Sequence, residues 1–152
     1  MRLIALLLFC SVPLAAADSD EEKPVLAAVQ KLFDGMAAHD AAMIQSAMTT
    51  DGRLVRTRQG KATSSTAEQF ATSIAGNKSQ LLERIWAPKV MVRGGIAMVW
   101  AEYDFHLNGK FHHCGIDAFL MLKTDEGWKA SAIADTSETE GCKPSPLGPP
   151  KQ

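Results

Sequence analysis

The sequence predicts an α+β fold, with N-terminal helices packed on one face of an antiparallel sheet. Two observations carry this. Apolar side chains recur at helical spacing early in the chain, and from Gln80 onward the period changes to two. The pair Asn108-Gly109 then separates two long alternating runs, and both residues accept the positive φ of a two-residue hairpin.

Ahead of these elements, residues 1–17 read as a cleavable signal peptide. Arg2 supplies the positive start, Leu3 to Val12 the apolar run and Ala15-Ala16-Ala17 the small-residue cleavage motif. The run is broken by Pro13 and followed by acids, whereas a membrane span needs about 20 apolar residues. Cleavage between Ala17 and Asp18 is expected, with no membrane anchor retained. Bulky Phe9 argues against lipid attachment at Cys10. The mature chain has 15 basic and 17 acidic side chains, too balanced a charge for a nucleic-acid surface. It keeps Cys114 and Cys142, which are expected to pair in an oxidising compartment, periplasmic or secreted.

Residues 18–142 are expected to form one domain. Asp18 to Lys23 is a charged lead-in, and Val25, Val29, Leu32 and Met36 mark a first helix with Pro24 in its first turn. Asp40 is placed to cap a second, short helix that stops at Thr49 to Gly52. A short extended piece follows over Arg53 to Thr57. Ser65 to Glu68 fits a capping box for a third helix, which Gly76 ends. Strands are expected over Leu82 to Trp86, Lys89 to Arg93, Ile96 to Leu107, Lys110 to Lys123 and Trp128 to Ser137. The tail 143–152 is proline-rich and expected to be disordered.

If Leu107 pairs with Lys110 and the register runs on unbroken, Trp100 opposes Asp117 and Met98 opposes Phe119. One face then carries Met98, Trp100, Glu102, Asp104, His106, Phe111, His113, Asp117, Phe119, Ser131, Ile133 and Asp135. The other carries Val99, Ala101, Tyr103, Phe105, His112, Cys114, Ile116 and Ala118 among others. Composition alone would set the second, more apolar face against the helices.

Three segments resemble the nuclear transport factor 2-like superfamily, and within it the bacterial exported branch of lumazine-binding and ketosteroid-isomerase-like proteins. They are Gly95 to Tyr103, Asn108 to Phe119, and Lys123 to Lys129, and the element order agrees to Cys142. The resemblance implies a cone-shaped, cystatin-like fold whose curved sheet wraps the first helix and leaves a pocket at the open end. It also implies that the opposite sheet face forms a homodimer. Positions that bear pocket arginines in kinase-association relatives match Trp100, Phe119 and Asp135, which makes the first face the concave one. None is arginine, so that mode of anion recognition does not carry over. A carboxylic acid assists a dienolate in the isomerase relatives, and Asp117 stands near its place.

The expected pocket residues are therefore Met98, Trp100, Glu102, His113, Asp117, Phe119 and Asp135. The aromatic and thioether side chains suit a flat, apolar or aromatic molecule, and the acids leave room for a positive charge on it. Asp117 stands in an apolar stretch, where a carboxyl without a partner shifts its pKa upward. With His113 and Glu102 it forms a candidate acid/base set for isomerisation or dehydration. Its blander alternative is a structural Asp–His hydrogen bond. His106, His113, Glu102 and Asp104 have metal-binding chemistry but no compact ligand motif, so neither metal nor other cofactor is expected. The leading reading is an exported small-molecule-binding domain; an enzyme using Asp117, His113 and Glu102 is the alternative, and a structural or interaction domain the third.

Overall fold

The computed structural model describes residues 19–150. The leader, with Cys10 and the Ala17–Asp18 cleavage position, lies outside the described residues. The first helix, α1 (Ser19–Ala37), takes in the charged lead-in, because Asp20, Glu21 and Glu22 occupy a first turn whose free amides favour negative charge. Pro24 consequently sits inside the helix rather than at its start. Val25, Val29, Leu32, Phe33 and Met36 are buried along one side of α1. The second helix, α2 (Ala41–Ser46), begins where Asp40 accepts a hydrogen bond from the Met43 amide at 2.9 Å.

Thr49 to Gly52 belongs to a strand rather than a stop. Strand β1 (Met48–Arg58) pairs with the last strand at Met48, bulges, and resumes at Arg53. It turns through Gln59 and Gly60, both at positive φ, into β2 (Lys61–Thr66). The sequence hides β2 because its exposed, polar residues show no alternation. Since β2 runs to Thr66, the capping box forms one residue later than expected: Thr66 Oγ1 accepts from the Gln69 amide, and Gln69 Oε1 from the Thr66 amide. Helix α3 (Ala67–Gly76) follows.

The remaining strands are β3 (Leu81–Arg93), β4 (Ile96–Leu107), β5 (Lys110–Thr124) and β6 (Gly127–Thr136). The sheet order is β2-β1-β6-β5-β4-β3, and β1 runs parallel to β6. The sheet is thus mixed, not wholly antiparallel, because the chain leaves β1 and returns to its other flank only after β2, α3 and three further strands. Register shifts at Trp86/Lys89, Phe105/His106 and Leu120/Met121 curve it. Helix α1 packs over β3 and β6, and α3 over β1. Their apolar sides meet Ala97, Val99, Phe119, Met121, Ala130 and Ile133 in a single core, with Phe33 edge-on to Phe119.

After β6 the chain doubles back on the opposite, outer face. Cys114 and Glu138 exchange backbone hydrogen bonds, and Cys142 reaches Cys114 to close a disulfide with a Cα separation of 5.9 Å. Residues 143–150 carry neither helix nor strand and lie against the outer face, where Lys143 pairs with Glu102 at 3.1 Å. Among the described residues no helix is long and apolar enough to cross a membrane.

Candidate functional site

Two bulges decide which side chains meet. Leu107 pairs with Lys110 as the Asn-Gly turn requires, with Asn108 and Gly109 both at positive φ. Then His112 is left over: His106 faces Phe111, but Phe105 faces His113. Beyond that point every partner is displaced by one residue, so Asp117 opposes Ala101 and Phe119 opposes Val99. A second extra residue, Ser131, shifts β6, so that Asp117 opposes Asp135 and Phe119 opposes Ile133.

The expected site therefore divides between faces. Asp117, Phe119, His113 and Asp135 lie on the helix-side face, where the first three are buried and Asp135 is half-buried. Met98, Trp100 and Glu102 lie on the outer face, together with Asp104 and His106; Met98 and Trp100 are exposed. Glu102 is thus not a partner of Asp117 and His113, and Trp100 shares no wall with Phe119. A one-residue bulge exchanges all side chains of a strand between faces, which accounts for both corrections. It also separates His113 from Glu102, Asp104 and His106. Among the described residues no group of three or more ligating side chains is placed to hold a metal.

What the helix-side face does assemble is a carboxyl cluster at the edge of the core. Going outward from Phe119 and Ile133, the next inward positions are Asp117 on β5 and Asp135 on β6. Tyr103 on β4 opposes Gly115, and Glu83 on β3 opposes Phe105. Arg56 on β1 opposes Asp135 and donates from Nε to its Oδ2 at 2.7 Å, while resting over the Phe70 ring of α3. The Tyr103 hydroxyl donates to the Thr136 carbonyl at 2.5 Å. That approach needs Gly115, since a side chain there would collide with Thr136.

Burial is the main cause that raises Asp117 well above the ordinary carboxylate range, reinforced by the charge of Glu83, a hydrogen bond with it, and the charge of Asp135. Glu83 is pushed up to about 7, again chiefly by burial, with the Asp117 bond opposing the rise. The two acids thus share a proton that Asp117 holds in preference. Burial also raises Asp135, against the pull of Arg56. Tyr103 is raised by burial and then by the three acids. His113 is pushed down to about 4 by burial and by His112, Arg58 and Arg56, so it is neutral at physiological pH. Asp117 Oδ2 and Asp135 Oδ1 are buried and meet no amide, amine or hydroxyl donor from the described residues.

Glu83, Arg56 and Tyr103 escape a reading of the sequence. Glu83 carries a signal that could have been used, since it stands in phase with Leu81 and Ile85, an acid at an inward position. Arg56 likewise is in phase with Leu54. Tyr103 is legible only once the His112 bulge is known.

The outer face holds a different assembly. Arg84 donates through Nε to Asp104 at 2.9 Å, and His106 lies 3.4 Å from the same carboxylate. These groups, Phe111 and the chain from Cys142 to Pro149 line a cavity of about 440 Å³. Farther along, Lys89, Met91, Met98 and Trp100 line an apolar hollow of about 330 Å³.

Solved structures of this fold are similar over most of the chain. A nuclear transport factor 2-like superfamily protein from Salmonella enterica is 15% identical with a TM-score of 0.68, covering 83% of this chain and 96% of its own. A cystatin-like-fold protein of unknown function from Nostoc punctiforme is 7% identical with a TM-score of 0.67, covering 85% and 96%. A protein of unknown function from Mycobacterium tuberculosis is 13% identical with a TM-score of 0.69, covering 78% and 72%. These likenesses establish the cone-shaped α+β fold. No curated protein matches the chain. The fold is shared with nuclear transport factor 2-like structures, and a family model described as "Putative lumazine-binding" matches residues 20–132, so the chain belongs to that family.

Proposed function

We propose that this protein is exported and binds a small, partly apolar molecule on the helix-side face, at the cluster of Glu83, Asp117 and Asp135. The observation that carries the reading is Asp117, 1% exposed, with an oxygen that no amide, amine or hydroxyl of the described protein reaches. A buried polar atom left so costs about 1–3 kcal/mol unless a ligand or water completes it. The family description supports small-molecule binding in the same sense. Export is supported by the signal-peptide character of residues 1–17 and by the Cys114–Cys142 disulfide. The outer face supports a homodimer, because Met91, Ile96, Met98, Trp100 and Leu120 together expose apolar surface there.

Native mass spectrometry of the protein purified from a periplasmic or secreted fraction tests this reading. A co-purifying small molecule that is lost in Asp117→Asn upholds it. Ligand-free wild type, together with accumulation in the cytoplasm, would reject it. The enzyme alternative keeps one specific observation: Asp117 holds a proton beside Glu83 at about 7, an acid and a base in contact. In that reading Glu83 replaces Glu102 as the partner. A turnover found by substrate screening and abolished by Asp117→Asn, with folding intact, would establish it.

A further inference from the structure

We infer that residues 143–150 form a strap latched over a second pocket, on the outer face of the sheet, and that its latch, the Cys114–Cys142 bridge, is opened by a dithiol reductant. The pocket is separate from the Glu83, Asp117 and Asp135 cluster, which lies on the other face.

The strap covers groups that a sheet face away from the helices ordinarily leaves in water. Arg84, Asp104 and His106 stand there, and Asp104 and His106 are buried. Arg84 donates to both Asp104 oxygens, at 2.9 and 2.5 Å, which offsets the desolvation of that pair. His106 is not completed in this way: its Nδ1 is buried with no hydrogen-bond partner among the described residues. The cover over these groups comes from Cys142 to Pro149, and a cavity of about 440 Å³ remains beneath it. A segment that served only to seal the sheet would fill that space with side chains. Leu147, its one large apolar side chain, is instead 48% exposed.

Little besides the bridge keeps the strap down. Among the described residues its hydrogen bond to the sheet is Lys143 Nζ to Glu102 at 3.1 Å, and that lysine is 77% exposed, so water competes for the contact. The amides of Leu147 and Gly148 donate back to Ser145 within the segment. Four of the eight residues are proline, which has no amide for lifting to leave unpaired. Gly141, at φ 73°, provides a hinge immediately before Cys142, while the Cys114–Glu138 backbone pair anchors the chain ahead of it.

Opening is a two-electron exchange. A thiolate of the reductant attacks the sulfur of half-buried Cys142 in preference to that of buried Cys114. The Cys114–Cys142 bond breaks, a mixed disulfide forms, and Cys114 leaves as a thiolate and takes up a proton. The second thiol of the reductant then displaces Cys142 and closes the reductant's own disulfide. Oxidised, the protein offers a partner or ligand the Trp100 half of its outer face. Reduced, it offers Arg84, Asp104 and His106 as well.

Diethyl pyrocarbonate, which acylates accessible neutral imidazoles, reads the pocket through His106. His39, between α1 and α2, and His113, buried on the other face, are internal standards. Protein reduced with dithiothreitol and desalted should modify at His106 at least about tenfold faster than the disulfide-bonded protein, with both standards unchanged. Cys142→Ser should match the reduced rate without any reductant. Amide relaxation at Leu147 and Gly148 should show a mobile strap in the same two samples and a fixed one in the oxidised protein. His106 reacting as fast before reduction as after it would overturn the inference, and so would a mobile strap above a His106 that stays protected. A parallel rise at His39 or His113 overturns it too, because the bridge would then be holding the fold and not a lid.

Discussion

The two faces of this sheet take alternate side chains from the same strands and end up with opposite problems. On the helix-side face, Val99, Phe119, Met121 and Ile133 are buried under α1, and the charged groups gather in one cluster at the edge of that core. On the outer face, Met98, Trp100 and Leu120 stand in the open, and an ion-paired group, Arg84 with Asp104, lies under the returning chain. The first face gets its order from apolar burial. The second is held by a covalent tie and a few polar contacts, and half of it remains uncovered. Stability and binding should therefore respond to different faces.

The widest separation is expected from one aromatic on each face. Phe119→Ala removes a ring packed edge-on to Phe33 in the core and should cost about 3–5 kcal/mol in denaturant unfolding. Trp100→Ala, at a side chain 54% exposed, should change monomer stability by less than about 1 kcal/mol. Equal losses would mean that the outer face is part of the core after all. Next in size is the disulfide. Replacing Cys114 and Cys142 by Ser opens a loop with a sequence separation of 28, worth about 3.6 kcal/mol on the chain-entropy account. Proteolysis should then cut first in 143–150, and the helix-side resonances should stay in place.

The acid cluster gives the helix-side face a pH signature. Asp117 and Glu83 have folded pKa values above their unfolded ones, so the stability they confer is complete below about 4 and falls as pH rises. Glu83's share is lost toward about 7, and that of Asp117, the more strongly raised, is lost as pH climbs through its own folded value. His113 acts in the opposite sense: its folded value of about 4 lies below 6.5, and its contribution is lost as pH falls through that window. Asp117→Asn should flatten the alkaline side of the stability profile and raise stability near pH 8 by about 1–3 kcal/mol, because an amide donates to Glu83 without having to retain a proton as pH rises. An unchanged slope would show that these carboxyls do not share a proton.

The fold was legible because its signals are local: the helical period of Val25 to Met36, the Asn-Gly turn and the change to period two. The ends of β4 needed nothing further. The site was half legible, for a physical reason. Composition set Val99, Ala101 and Tyr103 against the helices, rightly, with Cys114, Ile116 and Ala118, wrongly. Family resemblance set Phe119, Asp135 and Asp117 there, rightly, with Trp100, which the structure places on the outer face. Composition was right on β4 and the resemblance on β5 and β6, and the unbroken register carried each across to strands where it failed. Nothing in His112 or Ser131 announces a bulge, since a bulge is settled by how neighbouring strands pack and curve, not by the residue that is left over. Glu83 was missed because its partners arrive from two other strands.

The smallest energetic effect tests the largest structural question about the outer face. Trp100, Met98 and Met91 border an apolar hollow beside Lys89, and the chain from Cys142 to Pro149 occupies the neighbouring half of the face. A second copy can therefore bury the Trp100 half without displacing the disulfide-tethered segment. Trp100→Ser should leave the unfolding free energy of the monomer within about 1 kcal/mol, yet convert a dimer to monomer in sedimentation. Phe119→Ala, compared at a temperature where it remains folded, should leave the dimer intact. If Trp100→Ser and wild type sediment alike as monomers, the exposed apolar half needs a partner other than this chain. If both sediment as dimers, the interface lies elsewhere, and the division of labour between the two faces fails at the outer one.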